Sequence, residues 1–257
     1  MKKKLYFGSN FKMYKNAAET GIYLREIAAA TEDLDKDRCC FFFIPSFTAL
    51  DQASRSPVRD RFILGAQNMC WENKGQFTGE ISPDMLKEFG VELVLVGHSE
   101  RRHIFRETDV MENKKVLKAL ESGFTVLLAV GETKEEKDLG ICEDVIRKQL
   151  KTGLHSVTPD QANKVWVAYE PVWSIGVEGT PASADYAQSV HRIMRECLTG
   201  ILGEAGARIP LLYGGSVNPQ NGISLIRQPD IDGLFTTRTA FQVEAFSRLI
   251  HEIVNVV

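Results

Sequence analysis

Eight short apolar runs, separated by longer stretches of helical periodicity, restrict this 257-residue chain more than any other feature. The runs cover residues 5–9, 40–45, 62–67, 93–97, 125–131, 165–170, 210–214 and 233–236. Several are apolar on both faces, as strands must be when both sides of a parallel sheet are covered. Most are rich in β-branched or aromatic residues and are bounded by Gly, Pro or Asn. Between them, residues 17–31, 112–122, 143–154, 184–202 and 243–254 carry apolar side chains at helical spacing. Pro83, Pro181 and Pro219 fall near expected helix starts, where a missing N–H costs least.

Eight such units fold either as an open doubly wound sheet or as a closed barrel. The even spacing favours the barrel. So does the lack of a GxGxxG or GxxxxGK[ST] phosphate motif after the first run. With no linker or low-complexity tract in view, the expectation is a single α/β domain, a closed (βα)8 barrel, over residues 1–257.

Charge and cysteine usage exclude several classes of function. The formal net charge is -3, so no basic excess recommends a nucleic-acid or membrane partner. Lys2, Lys3 and Lys4 resemble the start of a signal peptide, but Ser9, Asn10 and Lys12 interrupt the apolar core such a segment needs. Cys39, Cys40, Cys70, Cys142 and Cys197 are odd in number and form no CxxC pair, which points to reduced thiols in a cytosolic protein.

Each strand ends in polar residues or glycines that a core alone does not need. The first ends Gly8-Ser9-Asn10-Phe11-Lys12, with Asn10 and Lys12 on one face of an extended segment. The third ends Ala66-Gln67-Asn68, the fourth Gly97-His98-Ser99-Glu100, the sixth Tyr169-Glu170-Pro171 and the seventh Gly214-Gly215-Ser216. A barrel gathers all these ends at one mouth, where the sites of this architecture are built. An amine, an imidazole and carboxylates meeting there suit proton transfer beside a carbonyl, with no cofactor.

Each residue also has a plainer reading. Alone, Lys12 is a solvated charge, His98 a structural histidine and Glu100-Arg101-Arg102 a surface ion-pair cluster. Glu170 resists that treatment, because it directly follows an apolar strand and Pro171 fixes an extended exit. His98 and His103 are five apart, not the four of helical metal ligands, and no metal is expected. Gly214-Gly215-Ser216-Val217-Asn218 lacks the second glycine of a hydrolase elbow.

Five stretches in order, Asn10-Phe11-Lys12-Met13, residues 75–82, residues 97–103, residues 168–173 and residues 213–217, resemble the triosephosphate isomerase family over nearly the whole chain. The resemblance implies the (βα)8 or TIM barrel and an aldose–ketose isomerase. Glu170 would be the base, His98 the electrophile and Lys12 the cation for enediolate and phosphate. Asn10 would stand beside Lys12, and Glu100 would be its acidic neighbour. A lid over residues 171–182 would contribute Gly176, and Tyr213 and Ser216 would latch it. The loop between Gly75 and Glu80, with Thr78 at its tip, would carry a homodimer contact. The substrate would be a small phosphorylated sugar.

Three departures stand out. Where the family has a glycine pair for phosphate, this chain has Thr237 and Arg238. Their N–H groups, and the Arg238 guanidinium, are candidates for the same task. The lid tip reads Gly176-Val177-Glu178-Gly179-Thr180-Pro181, and a Glu178–Arg238 pair is the expected answer to its extra negative charge. Tyr14 replaces a small residue after the first strand. Two substrates therefore remain open, the triose phosphates and a four-carbon ketose phosphate such as an erythrulose phosphate; a binding protein on an inactive barrel is the non-enzyme alternative.

Overall fold

In a computed structural model describing residues 3–175 and 179–257, eight parallel strands close on themselves in sequence order. They are β1 (Leu5–Asn10), β2 (Cys39–Ile44), β3 (Ile63–Ala66), β4 (Leu93–Val96), β5 (Thr125–Val130), β6 (Val165–Tyr169), β7 (Leu211–Tyr213) and β8 (Gly233–Phe235). Closure is made by β8 against β1, with Tyr6, Phe7 and Gly8 opposite Gly233, Leu234 and Phe235.

Strand alternation divides the core into two layers. On β5, Leu127 and Ala129 point into the barrel, where they join Phe42, Leu95, Trp166 and Leu212. Val126, Leu128 and Val130 point outward into the larger layer beneath the helices. The two-sided apolar runs follow from this, because neither face of a barrel strand meets water.

The helices are α1 (Ala17–Ala29), α2 (Leu50–Ser54), α3 (Pro83–Glu88), α4 (Ser99–His103), α5 (Asp109–Glu121), α6 (Lys134–Asp138), α7 (Cys142–Gly153), α8 (Ala184–Leu202), α9 (Glu204–Ala207), α10 (Gly222–Ile226) and α11 (Val243–Val256). Polar caps set several starts. Asn16 accepts the Glu19 N–H at 3.0 Å while the Glu19 carboxylate accepts from Asn16 N at 2.8 Å. The fifth helix begins three residues before the apolar periodicity suggests, because Thr108 caps it by accepting from Met111 N. Pro83 opens α3 as expected, whereas Pro181 and Pro219 lie ahead of the caps of α8 and α10 and belong to the connecting loops.

All five cysteines are free. Among the described residues no helix is long and apolar enough to cross a membrane.

Candidate active site at the barrel mouth

The strand ends converge on a cavity of about 190 Å3 lined by Lys12, His98, Glu170, Ser216, Thr237 and Arg238 among others. Glu170 enters directly from β6, its N–H bonded to Val130 O at 2.7 Å. It is 3% exposed, and its Oε2 accepts the Ser99 N–H at 3.1 Å. Gly214 makes room for it: a Cβ there would stand 2.9 Å from Glu170 Cγ.

His98 is also buried and occupies the cap position before α4. Its Nδ1 accepts the Glu100 backbone N–H at 3.3 Å. An imidazole nitrogen that accepts carries no proton, so the neutral ring has its proton on Nε2. That nitrogen lies 3.4 Å from Glu170 Oε1. The donor edge of the imidazole and the carboxylate therefore face the same small volume.

Lys12 stands at the end of β1 with φ of 50°. A left-handed backbone costs a non-glycine residue roughly 1–2 kcal/mol, and neighbouring hydrogen bonds hold it there. Asn10 Oδ1 accepts the Lys12 N–H at 2.8 Å, and Gln67 Nε2 donates to Lys12 O at 2.7 Å and to Asn10 Oδ1 at 3.1 Å. The Lys12 ammonium donates to Glu100 Oε1 at 2.8 Å. Asn10 thus acts on the backbone of Lys12, and Glu100 on its charge.

The opposite end of the cavity is built from loops. Thr237 Oγ1 donates to Asn10 O at 3.0 Å, tying the turn after β8 to the end of β1. Among the described residues the non-glycine positive φ angles belong to Lys12, Arg106 and Ser156, so the turn at Thr237 and Arg238 needs no glycine. Arg238 lines the cavity, as does Tyr14, which packs edge-on against Phe241 at 5.6 Å between centroids. The Ser216 N–H donates to Ser174 Oγ at 3.2 Å. The buried Tyr213 hydroxyl faces Ser174 and the Ala182 backbone, on the two described flanks of the expected lid. Gly176 and the expected Glu178–Arg238 pair lie outside the described residues.

Two residues at this mouth escaped the sequence reading. Gln67 is the clamp on Lys12, and its place at a strand end was the available signal. Glu132, fully buried just after β5, accepts from the Tyr169 hydroxyl at 2.9 Å, Trp173 Nε1 at 2.8 Å and the Tyr186 hydroxyl at 3.0 Å. It roots the segment that follows Glu170. Nothing in the sequence separates it from the charged helix beginning at Lys134.

The closed barrel, and the carboxylate, imidazole and ammonium at its mouth, define an isomerase of small carbonyl compounds. Comparison with known proteins narrows the class. The triosephosphate isomerase family model matches residues 5–253. The L-erythrulose-1-phosphate isomerase of Rhizobium etli is 46% identical over 244 residues, covering 94% of this chain and 90% of that protein. The enzyme of that name from Rhizobium meliloti is 40% identical over 258 residues, with 100% and 99% covered. The triosephosphate isomerase of Carboxydothermus hydrogenoformans is 40% identical over 252 residues, with 96% and 98% covered. This chain belongs to the triosephosphate isomerase family.

Proposed function

We propose that this isomerase acts on a four-carbon ketose phosphate, an erythrulose phosphate, by enediolate proton transfer. In a tetrulose 1-phosphate the carbonyl is at C2. Glu170 removes the proton from C3, and the C–H electrons form the C2–C3 double bond while the carbonyl electrons move to O2. The Nε2–H of His98 donates to that oxygen, and the Lys12 ammonium offsets its charge. Return of the proton to C2, with the O3 proton passing to O2 by way of His98 Nε2, leaves a ketone at C3 and a hydroxyl at C2. Donors fixed in place before charge develops suit this intermediate, because they need no reorganisation as it forms.

The observation that carries the reading is the meeting of Glu170 Oε1 and His98 Nε2 at 3.4 Å in one cavity with Lys12. The four-carbon substrate is supported by the rhizobial relatives and by the Thr237–Arg238 turn, which puts a guanidinium, a group suited to phosphate, on the cavity wall. The same groups support a second reading, interconversion of dihydroxyacetone phosphate and glyceraldehyde 3-phosphate, favoured by the family match and the likeness to curated triosephosphate isomerases. Parallel assays with erythrulose phosphates and glyceraldehyde 3-phosphate separate them. Higher kcat/KM on the tetrulose is expected; fast turnover of the triose alone would overturn the choice.

The working form we propose is a cytosolic homodimer joined through the loop from Gly75 to Glu80. That loop is exposed along its length, with Phe77 at its centre. Met13, Tyr14, Ile104 and Phe105 are also exposed on the segments that carry Lys12 and His98. Large apolar groups beside a site are the kind of surface that a second subunit covers. Light scattering on Thr78→Asp, expected to be monomeric, tests the contact.

A further inference from the structure

A buried acid that takes no part in the proposed proton transfer lies behind His98. Glu112, in the first turn of α5, is fully buried. Its Oε2 lies against Arg102 Nη2, and neither carboxyl oxygen has an aligned hydrogen-bond partner. Arg102 spends its donors on the backbone and on Asp109. Its Nε donates to Gly97 O at 2.7 Å, its Nη2 to Ala129 O at 3.0 Å, and its Nη1 to Asp109. One guanidinium thus bridges the ends of β4 and β5. Gly97 lies in the same contact, at φ of 77°. A Cβ on it would come within 2.8 Å of both Ala129 O and Arg102 Nη2, and 3.2 Å of Glu112 Oε2. The next residue is His98.

We propose that Glu112 is a positioning residue for His98: by seating Arg102 it fixes the Gly97 backbone and keeps the imidazole Nε2 aimed into the cavity. The proposal rests on the part assigned to His98 above. An apolar side chain of similar size at this position would leave Arg102 with Asp109 as its carboxyl partner and its bonds to Gly97 O and Ala129 O unsupported from the Glu112 side.

The surroundings make the contact sensitive to protons. The charged groups facing Glu112 are Arg102 from α4, Asp109 and Lys115 from α5, and Glu107 from the segment between them. Lys148 of α7 reaches the cluster through Asp109. Burial raises Glu112 to about 8, against the downward pull of Arg102. The contact with Arg102 therefore becomes a full ion pair only on the alkaline side of that value.

Two variants of the full-length protein test the role. Glu112→Leu should lower kcat about 10- to 100-fold with KM little changed, the scale expected when a catalytic group is displaced from a distance. Glu112→Gln, which keeps a polar head of the same shape, should restore kcat to within a few fold. The His98 imidazole resonances in 1H–15N spectra should shift in the Leu variant and return in the Gln variant. A folded Leu variant with parental kcat and unmoved His98 resonances would overturn the proposal. Should the Leu variant not fold, a pH series decides. In the parent the His98 resonances should move through pH 8, and in Glu112→Gln they should not; the same inflection in both would overturn the proposal. Full activity in His98→Gln would sink the function assigned to His98, but it leaves the spectroscopic outcome to stand or fall separately.

Discussion

The two ends of the cavity are made differently. At the end proposed for proton transfer, Lys12, His98 and Glu170 each sit at or just past a strand terminus, and backbone or amide hydrogen bonds hold each of them. At the end proposed for the phosphate the lining comes from loops, namely the turn after β8, the segment after β7 and Tyr14 beyond β1. The first end inherits its geometry from the barrel, where a shift of one strand moves all its neighbours. The second can exchange a glycine pair for Thr237 and Arg238 without a positive φ or a broken strand. A family that keeps one reaction and changes its substrate would vary the second end.

The sharpest way to break this contrast is at Glu170, the proposed base. Glu170→Asp withdraws the carboxylate by one methylene and should lower kcat by about 100-fold or more, on every substrate the enzyme accepts. Thermal unfolding should stay close to the parent, since Asp keeps the carboxylate charge and adds no bulk at the cavity wall. Next is His98, the proposed electrophile. His98→Gln should cost about 100- to 1,000-fold in kcat, again without regard to substrate length. Equal loss on triose and tetrulose supports a shared chemical end; a loss confined to one of them refutes it.

Smaller and more selective effects belong to the phosphate end. Arg238→Ala should lower kcat/KM on the preferred substrate by about tenfold or more, the scale of a lost charge-assisted hydrogen bond. It should also change the triose-to-tetrulose ratio, as neither Glu170 nor His98 variants do. A ratio that stays fixed would remove Arg238 from substrate selection.

The smallest effect concerns the shell behind His98 and is read as stability. Glu112 has its pKa raised in the folded protein, from an ordinary 4.5 to about 8. Its favourable contribution is therefore complete below about pH 4.5 and is lost as pH rises through about 8. Glu112→Gln removes that dependence. The melting temperature of the variant should gain on the parent from pH 5 to pH 9, in calorimetric scans at matched ionic strength. A difference that stays flat with pH would contradict the burial assigned to this acid.

The eight strands were legible because a barrel strand is apolar on both faces, which few other environments require. Lys12, His98 and Glu170 were legible as polar residues placed directly after such strands. The short helices α2, α4, α6, α9 and α10 were not, since one turn or little more gives periodicity nothing to repeat. Gln67, Glu132 and Glu112 were harder still. Each is a single polar residue whose burial depends on partners far away in the chain. Gln67 is needed because Lys12 has a left-handed backbone, and Glu132 because Tyr169, Trp173 and Tyr186 point at one spot. Glu112 falls at a plausible exposed helix start, and only the packing of Arg102 against Gly97 draws it inside. The Arg238 position was legible as a departure, and its φ is what makes the departure tolerable.

The seat of Trp173 gives the molecule an optical probe of its own. The indole N–H rests on the Glu132 carboxylate, the ring stands edge-on to Tyr186, and the Lys137 ammonium lies 3.4 Å from the ring centroid. A charge so near an excited indole changes its emission energy. Trp166 is locked inside the barrel against Tyr6 and Phe42, and Trp71 lies beside Phe77 with the Lys114 ammonium farther off at 5.4 Å, so the Trp173 ring has the nearer charge. Any rearrangement of the segment after Glu170 that lifts the indole from its carboxylate changes the colour of the protein's fluorescence, with no label attached.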